Sequence, residues 1–114
     1  MNWQELLNRM ARWQFVTFPE ATTKSAWKHL TKEMIELDTN NEDIEEWADV
    51  LFLAIQGGTK AAGSLNKFRL AVQDKLMKNE ERQWPAEPDA DNVYEHVKEE
   101  TLADRPDLTS LSNG

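Results

Sequence analysis

The chain contains no cysteine, which excludes a disulfide framework and a cysteine-ligated zinc site. Histidine is scarce as well: the two present, His29 and His96, stand far apart, so nucleophilic triads lack their usual parts. The four glycines form no Gly-rich loop followed by Lys-Ser/Thr, which rules out a P-loop. Neither a G-x-S-x-G elbow nor an H-E-x-x-H metal motif occurs. No apolar run reaches the roughly 18–20 residues of a membrane span, so no membrane partner is expected. The opening Met1-Asn2-Trp3-Gln4-Glu5 lacks the pattern of a signal peptide, and a cytoplasmic location is the expectation. Basic residues are outnumbered, with 13 Lys and Arg against 21 Asp and Glu and a net charge of −8. That balance argues against a nucleic-acid partner. It leaves room for a small anionic substrate that arrives with metal ions.

What is present fits one soluble domain with a modest core, or an oligomer. The chain has 114 residues, 39% apolar and 30% charged. No stretch alternates strictly between apolar and polar, and the apolar spacing is helical. The pattern predicts helices over 2–16, 23–37, 42–56 and 65–82. Pro19 breaks the first connection, Asp38-Thr39-Asn40-Asn41 makes the second, Gly57-Gly58 stops the third helix and Pro85 comes after the fourth. The expected fold class is all-α, a four-helix bundle of antiparallel neighbours. The expected division is a helical catalytic domain over 1–85 and a partly flexible extension over 86–114. That extension would be a tail, loose after Arg105, or would hold a short helix near Tyr94-Glu95-His96-Val97.

Two acidic couples stand out: Glu33-x-x-Glu36 and, nine residues on, Glu46-x-x-Asp49. Glu33 falls in the apolar stripe of Ala26, Leu30, Met34 and Leu37, and Glu36 flanks it one turn on. Asp49 is the only charge between Trp47 and Ile55, in a helix apolar on all sides and therefore expected to be buried. Either couple alone reads as a solvated helix face. Gathered between two packed helices, four carboxylates repel and resist desolvation unless a cation neutralises them. Oxygen-only ligand sets suit Mg²⁺ or Mn²⁺.

A second row is basic. Lys75, Lys78, Asn79 and Arg82 fall at i, i+3, i+4 and i+7, one helix face. An apolar stripe of Leu65, Phe68, Val72 and Leu76 lies beside it. Cations with an amide suit a polyphosphate, while the alternative is an ordinary snorkelling face. Five tryptophans are core or interface material by default. Trp13, Phe15, Phe18 and Trp84 lie near element ends, where a nucleobase could stack. His29 shares a face with Glu33 and suits either a structural hydrogen bond or a substrate contact. With other chemistries removed, metal-assisted attack of water on a phosphate is the reading that the residues support.

The strings Glu33-x-x-Glu36, Glu46-x-x-Asp49 and Lys75-x-x-Lys78-Asn79-x-x-Arg82 resemble the signature of the MazG-like all-α nucleotide pyrophosphohydrolases. His29-Leu30-Thr31-Lys32-Glu33, Glu45-Glu46-Trp47-Ala48-Asp49 and Lys78-Asn79-Glu80-Glu81-Arg82-Gln83-Trp84-Pro85 are similar to its dATP/dGTP diphosphohydrolase branch, common in phages. Trp13-Gln14-Phe15 and Thr17-Phe18 resemble the substrate-side segment of that branch, and Tyr94-Glu95-His96-Val97 its tail. The resemblance implies cleavage of dGTP or dATP between the α and β phosphates, giving a monophosphate and pyrophosphate. It implies that Glu33, Glu36, Glu46 and Asp49 hold two or three Mg²⁺ and carry catalysis, and that Lys75, Lys78, Asn79 and Arg82 grip the phosphates. It assigns Trp13, Phe15, Phe18, His29 and Trp84 to the nucleobase side. It further implies a homo-oligomer, a dimer or tetramer, working in the host cytoplasm if phage-encoded. The alternatives are a pyrimidine house-cleaning hydrolase of the same fold, acting on dUTP or dCTP, and a non-catalytic helical interaction module. The short gap between the couples requires a tight inter-helix turn.

Overall fold

A computed structural model describes residues 1–97 of the chain. It contains four helices, α1 Trp3–Thr17, α2 Thr23–Thr39, α3 Ile44–Ala62 and α4 Leu65–Glu81, and no strand among the described residues. The all-α class and the helix order match the expectation. The chain comprises two compact units, Met1–Asp74 and Lys75–Gly114.

Local chemistry explains where the helices begin and end. Asn2 caps α1, its side chain accepting from the Glu5 N–H at 2.8 Å. The α1 chain exits at Phe18, whose N–H donates to the Gln14 carbonyl, and Pro19 prevents continuation. A reciprocal capping box opens α2: Ser25 N–H donates to Thr22 Oγ1 at 3.0 Å, and Thr22 N–H to Ser25 Oγ at 2.8 Å. Asp43 caps α3 through the Glu45 N–H at 2.9 Å. Ser64 Oγ accepts from Lys67 N–H at 3.1 Å at the start of α4.

One boundary differs from the sequence reading. Gly57 and Gly58 do not stop α3, which runs on to Ala62 and ends at Gly63 with φ +98°. The two glycines serve close packing instead. A Cβ added at Gly57 would lie 3.3 Å from the Cβ of Ala26, and one at Gly58 would collide with the ring of Phe68. Ala26 faces Gly57 while Glu33 meets Glu46, so α2 and α3 run antiparallel across the turn at 40–43. They form the main helix pair, and α1 packs on α3.

The core is small: Met10, Ala26, Leu37, Leu53 and Ile55 are buried, together with Gln14. The all-round apolar α3 was expected to be buried, yet Trp47 is 53% and Leu51 38% exposed. Met34 is exposed too, although its spacing puts it in the α2 stripe. In α4 the expected stripe divides: Leu65 and Phe68 are half-buried, while Val72 and Leu76 are exposed. A 3.6-residue period identifies a face; whether this chain covers that face depends on what packs against it. Residues 93–97 form no helix, so among the described residues the short helix expected near Tyr94-Glu95-His96-Val97 is absent. The loose end expected after Arg105 lies outside the described residues. Among the described residues no helix is long and apolar enough to cross a membrane.

Candidate metal and nucleotide site

The antiparallel pairing of α2 and α3 brings the two acidic couples together. Glu33, Glu46 and Asp49 each place a carboxylate oxygen so that these atoms lie within 4.8 Å of one another. Glu36 acts on both Glu33 and Glu46 electrostatically but is itself exposed. The Glu33 side chain is only 12% exposed, and Glu46 is half-buried. No hydrogen-bond donor meets Glu33 Oε2 or Glu46 Oε2, although both atoms are buried. An unpartnered buried carboxylate oxygen is costly, and such atoms are rarely left so without a reason.

The crowding sets the titration. Desolvation first, then the neighbouring Glu36 and Glu46, push the Glu33 carboxyl from near 4.5 up to about 7. Desolvation also raises Glu46, helped by the charges of Glu36, Asp43 and Asp49, while a hydrogen bond from Glu33 works in the opposite direction. Near neutrality the Glu33 carboxyl therefore retains a proton part of the time. A divalent cation would supply the missing positive charge and accept both orphaned oxygens. An all-carboxylate donor set fits Mg²⁺ or Mn²⁺ in softness and in charge.

Beside the carboxylates opens a cavity of about 800 Å³ within the first unit. Glu33 and Asp49 form its acidic end, Glu20 is a further carboxylate in its lining, and Trp13, Phe18 and Phe52 supply its aromatic surface, with His29 also on the wall. The aromatic rings hold one another edge-on. Trp13 lies 5.4 Å from Phe18 and 6.2 Å from Phe52 between ring centroids. Gln14, buried on α1, donates from Nε2 to the Phe52 carbonyl at 2.7 Å and so locks α1 against α3. His29 Nε2 stands 3.6 Å from Glu33 Oε1.

Of the residues singled out in the sequence, Trp13, Phe18 and His29 share this cavity with Glu33 and Asp49. Phe15 lines a separate, much smaller cavity of about 40 Å³ and carries Lys60 Nζ 5.6 Å above its ring. Gln14, Phe52 and Gln56 also line the main cavity, and sequence reasoning missed them. The only signal for Gln14 is its place between Trp13 and Phe15. For Gln56 and Phe52 it is helical spacing from Asp49, at i+7 and i+3.

The basic row belongs to the second unit, on the C-terminal half of α4 and, for Arg82, just beyond its end. Lys75 is exposed, while Asn79 and Arg82 are half-buried. Arg82 Nη1 donates to Asn79 Oδ1 at 3.0 Å, so the amide and the guanidinium form one group. Trp84 comes next, its Nε1 donating to the Asn79 carbonyl at 2.7 Å.

The sequence profile of the dATP/dGTP pyrophosphohydrolase family matches residues 6–104 of this chain. Among solved structures, the Cyanophage S-2L MazG-like pyrophosphohydrolase, bound to dGDP and three catalytic Mn²⁺ ions per active site, is similar in fold. The TM-score is 0.66 at 26% identity, covering 86% of this chain and 99% of that one. No curated protein matches.

Proposed function

The chain belongs to the dATP/dGTP pyrophosphohydrolase family, and we propose that it hydrolyses dGTP and dATP at the α–β phosphate bond in a Mg²⁺-dependent reaction. The observation that carries this reading is the pair of orphaned oxygens on Glu33 and Glu46, beside Asp49, at one end of a cavity whose wall includes Trp13 and Phe18. Anionic at one end and aromatic in its lining, the cavity has the chemistry of a nucleotide reached through bridging cations.

Glu33, Glu36, Glu46 and Asp49 would hold the ions, two or three per site, and Mn²⁺ could substitute for Mg²⁺. When bound, such ions polarise a phosphoryl oxygen and bring the pKa of a water toward neutrality. The water oxygen forms a bond to the α phosphorus, the bond to the α–β bridging oxygen breaks, and pyrophosphate departs. One of the carboxylates takes the proton released by the water. Lys75, Lys78, Asn79 and Arg82 offset the phosphate charge by charge-assisted hydrogen bonds. Trp13, Phe18 and His29, which share the wall of this cavity, form the nucleobase side of the site. The enzyme acts as a homo-oligomer that adjusts a nucleotide pool in the cytoplasm.

The test is a product assay on each common dNTP and NTP with Mg²⁺, resolving monophosphate plus pyrophosphate from diphosphate plus phosphate. The expected outcome is dGMP or dAMP with pyrophosphate. The same products from dUTP or dCTP alone would discard the purine reading and keep the chemistry. Release of orthophosphate, or no turnover by folded, metal-loaded protein, would overturn the reaction itself.

A further inference from the structure

The segment after α4 folds back on the end of its helix. Two side-chain hydrogen bonds join it to α4 at one residue: Trp84 Nε1 donates to the Asn79 carbonyl and Arg82 Nη1 to Asn79 Oδ1. That carbonyl belongs to the last turn of α4 and accepts two donors, the Arg82 N–H at 3.3 Å and the Trp84 indole N–H at 2.7 Å. Asn79 thus bears two loads at once: its carbonyl is held by Trp84, and its Oδ1 holds Arg82 Nη1.

The indole is itself held. Its ring meets His96 edge-on, 5.7 Å between centroids at 75°, and His96 is half-buried. Next to each ring a backbone bond closes the segment, Val97 N–H donating to the Gln83 carbonyl at 2.6 Å. Between them Asp89 builds a tight turn. Its Oδ1 accepts from the N–H groups of Asp91 at 2.8 Å and Val93 at 2.9 Å. Its own N–H donates to the Val93 carbonyl at 2.9 Å, and Asn92 adopts φ +63° to complete the reversal. Residues 83–97 therefore form a closed clasp, tied at Gln83–Val97 and turned at Asp89, with Trp84 directed at Asn79.

We propose that Trp84, supported by His96, is a positioning residue that presets the Asn79–Arg82 pair for a polyphosphate. This rests on the phosphate-binding role proposed above for Asn79 and Arg82. A guanidinium has five donors in a rigid plane. One is committed to Asn79 Oδ1, which fixes the plane and leaves the others for phosphate oxygens. Free arginine side chains lose rotamer entropy when they bind, and a pair already fixed loses less. The indole acts through the backbone of Asn79 and needs no contact with the nucleobase. On this reading Trp84 affects every ligand with a phosphate chain, whatever its base.

The experiment uses the full-length protein with Mg²⁺ and reads competitive inhibition by inorganic tripolyphosphate, a probe with no base, alongside KM and kcat for dGTP. Trp84→Phe keeps an aromatic ring for His96 and removes the N–H. It should weaken tripolyphosphate inhibition about fivefold to tenfold, the scale of one hydrogen bond, and raise KM for dGTP in parallel. Arg82→Ala should weaken it at least as much, and the double variant should add little to Arg82→Ala alone. His96→Ala retains the N–H and should give a smaller loss in the same direction, which keeps the test open if Trp84→Phe folds poorly. Two results would overturn the proposal: a Trp84→Phe that weakens dGTP and spares tripolyphosphate, which would make the indole a base platform, or losses that add fully to those of Arg82→Ala. If Arg82→Ala itself leaves tripolyphosphate inhibition unchanged, the phosphate-binding role fails first, and that failure is distinct from a silent Trp84→Phe beside a damaging Arg82→Ala.

Discussion

The acidic end and the aromatic surface of the cavity are built on opposite terms. Trp13, Phe18 and Phe52 brace one another edge-on, and Gln14 ties α1 to the Phe52 carbonyl, so this wall is complete within the protein. The acidic end is not: Glu33 Oε2 and Glu46 Oε2 are buried without a donor, and desolvation, together with the neighbouring carboxylates, pushes the Glu33 carboxyl up to about 7. A wall that satisfies itself supplies shape. A cluster that does not satisfy itself supplies affinity for what it lacks, here positive charge. Substitutions at the two ends should therefore differ in kind as well as in size.

The largest effect is expected at the acidic end. Glu46→Gln and Asp49→Asn should each lower kcat by at least about 100-fold, since positioned charge carries several kcal/mol of catalysis in metal sites. Circular dichroism should show unchanged helix content, and the metal-free melting temperature of Glu46→Gln should rise because one repelling charge is gone. Full turnover in Asp49→Asn would remove the metal site and the contrast with it. At the aromatic end, Trp13→Ala should raise KM for dGTP about tenfold with little change in kcat, a loss of about 1.4 kcal/mol of uniform binding. A kcat loss as large as that of Glu46→Gln would mean that the two ends are not separate in function.

Mg²⁺ should also distinguish them. At about 100 times its Kd, a cation that binds only the folded state stabilises it by about 2.7 kcal/mol, and the melting temperature should rise accordingly. The same addition should leave the melting temperature of Glu33→Gln nearly unmoved and that of Trp13→Ala raised as in the parent. Equal shifts in all three would place the bound cation elsewhere.

The helices were legible because their signals are local: Pro19 breaks, Asp38-Thr39-Asn40-Asn41 turns, and the apolar spacing repeats. The meeting of Glu33 with Glu46 and Asp49 was legible for a related reason. Two i, i+3 couples on helices joined by a short turn fall opposite each other once the helices run antiparallel. What the sequence concealed was tertiary. Gly57-Gly58 looks like a stop, and only the proximity of Ala26 and Phe68 shows why a helix would retain them. The exposure of Trp47 and Leu51 reflects what fails to cover them, which no period encodes. Gln14 reaches Phe52 across 38 positions, and no pattern within α1 announces that bond.

The smallest expected effect is on pH-dependent stability, and its sign comes from the direction of the Glu33 shift. Its folded-state value of about 7 exceeds its ordinary value near 4.5, so between those limits the folded chain holds a proton that the unfolded chain has released. Stability from this group is then complete below the lower limit and declines as pH rises toward the upper one. Glu46, also raised, acts in the same direction. Metal-free protein should therefore melt at a lower temperature near neutrality than at about pH 5, with the other carboxylates contributing their own background. Glu33→Gln should flatten this decline, whereas Trp13→Ala should leave its slope intact, because Trp13 carries no titrating group. Saturating Mg²⁺ should reverse the trend, since a cation competes with the proton on Glu33 and binds better as pH rises. A decline that survives in Glu33→Gln would assign it to charges away from the acidic end, and the unsatisfied cluster would lose its thermodynamic signature.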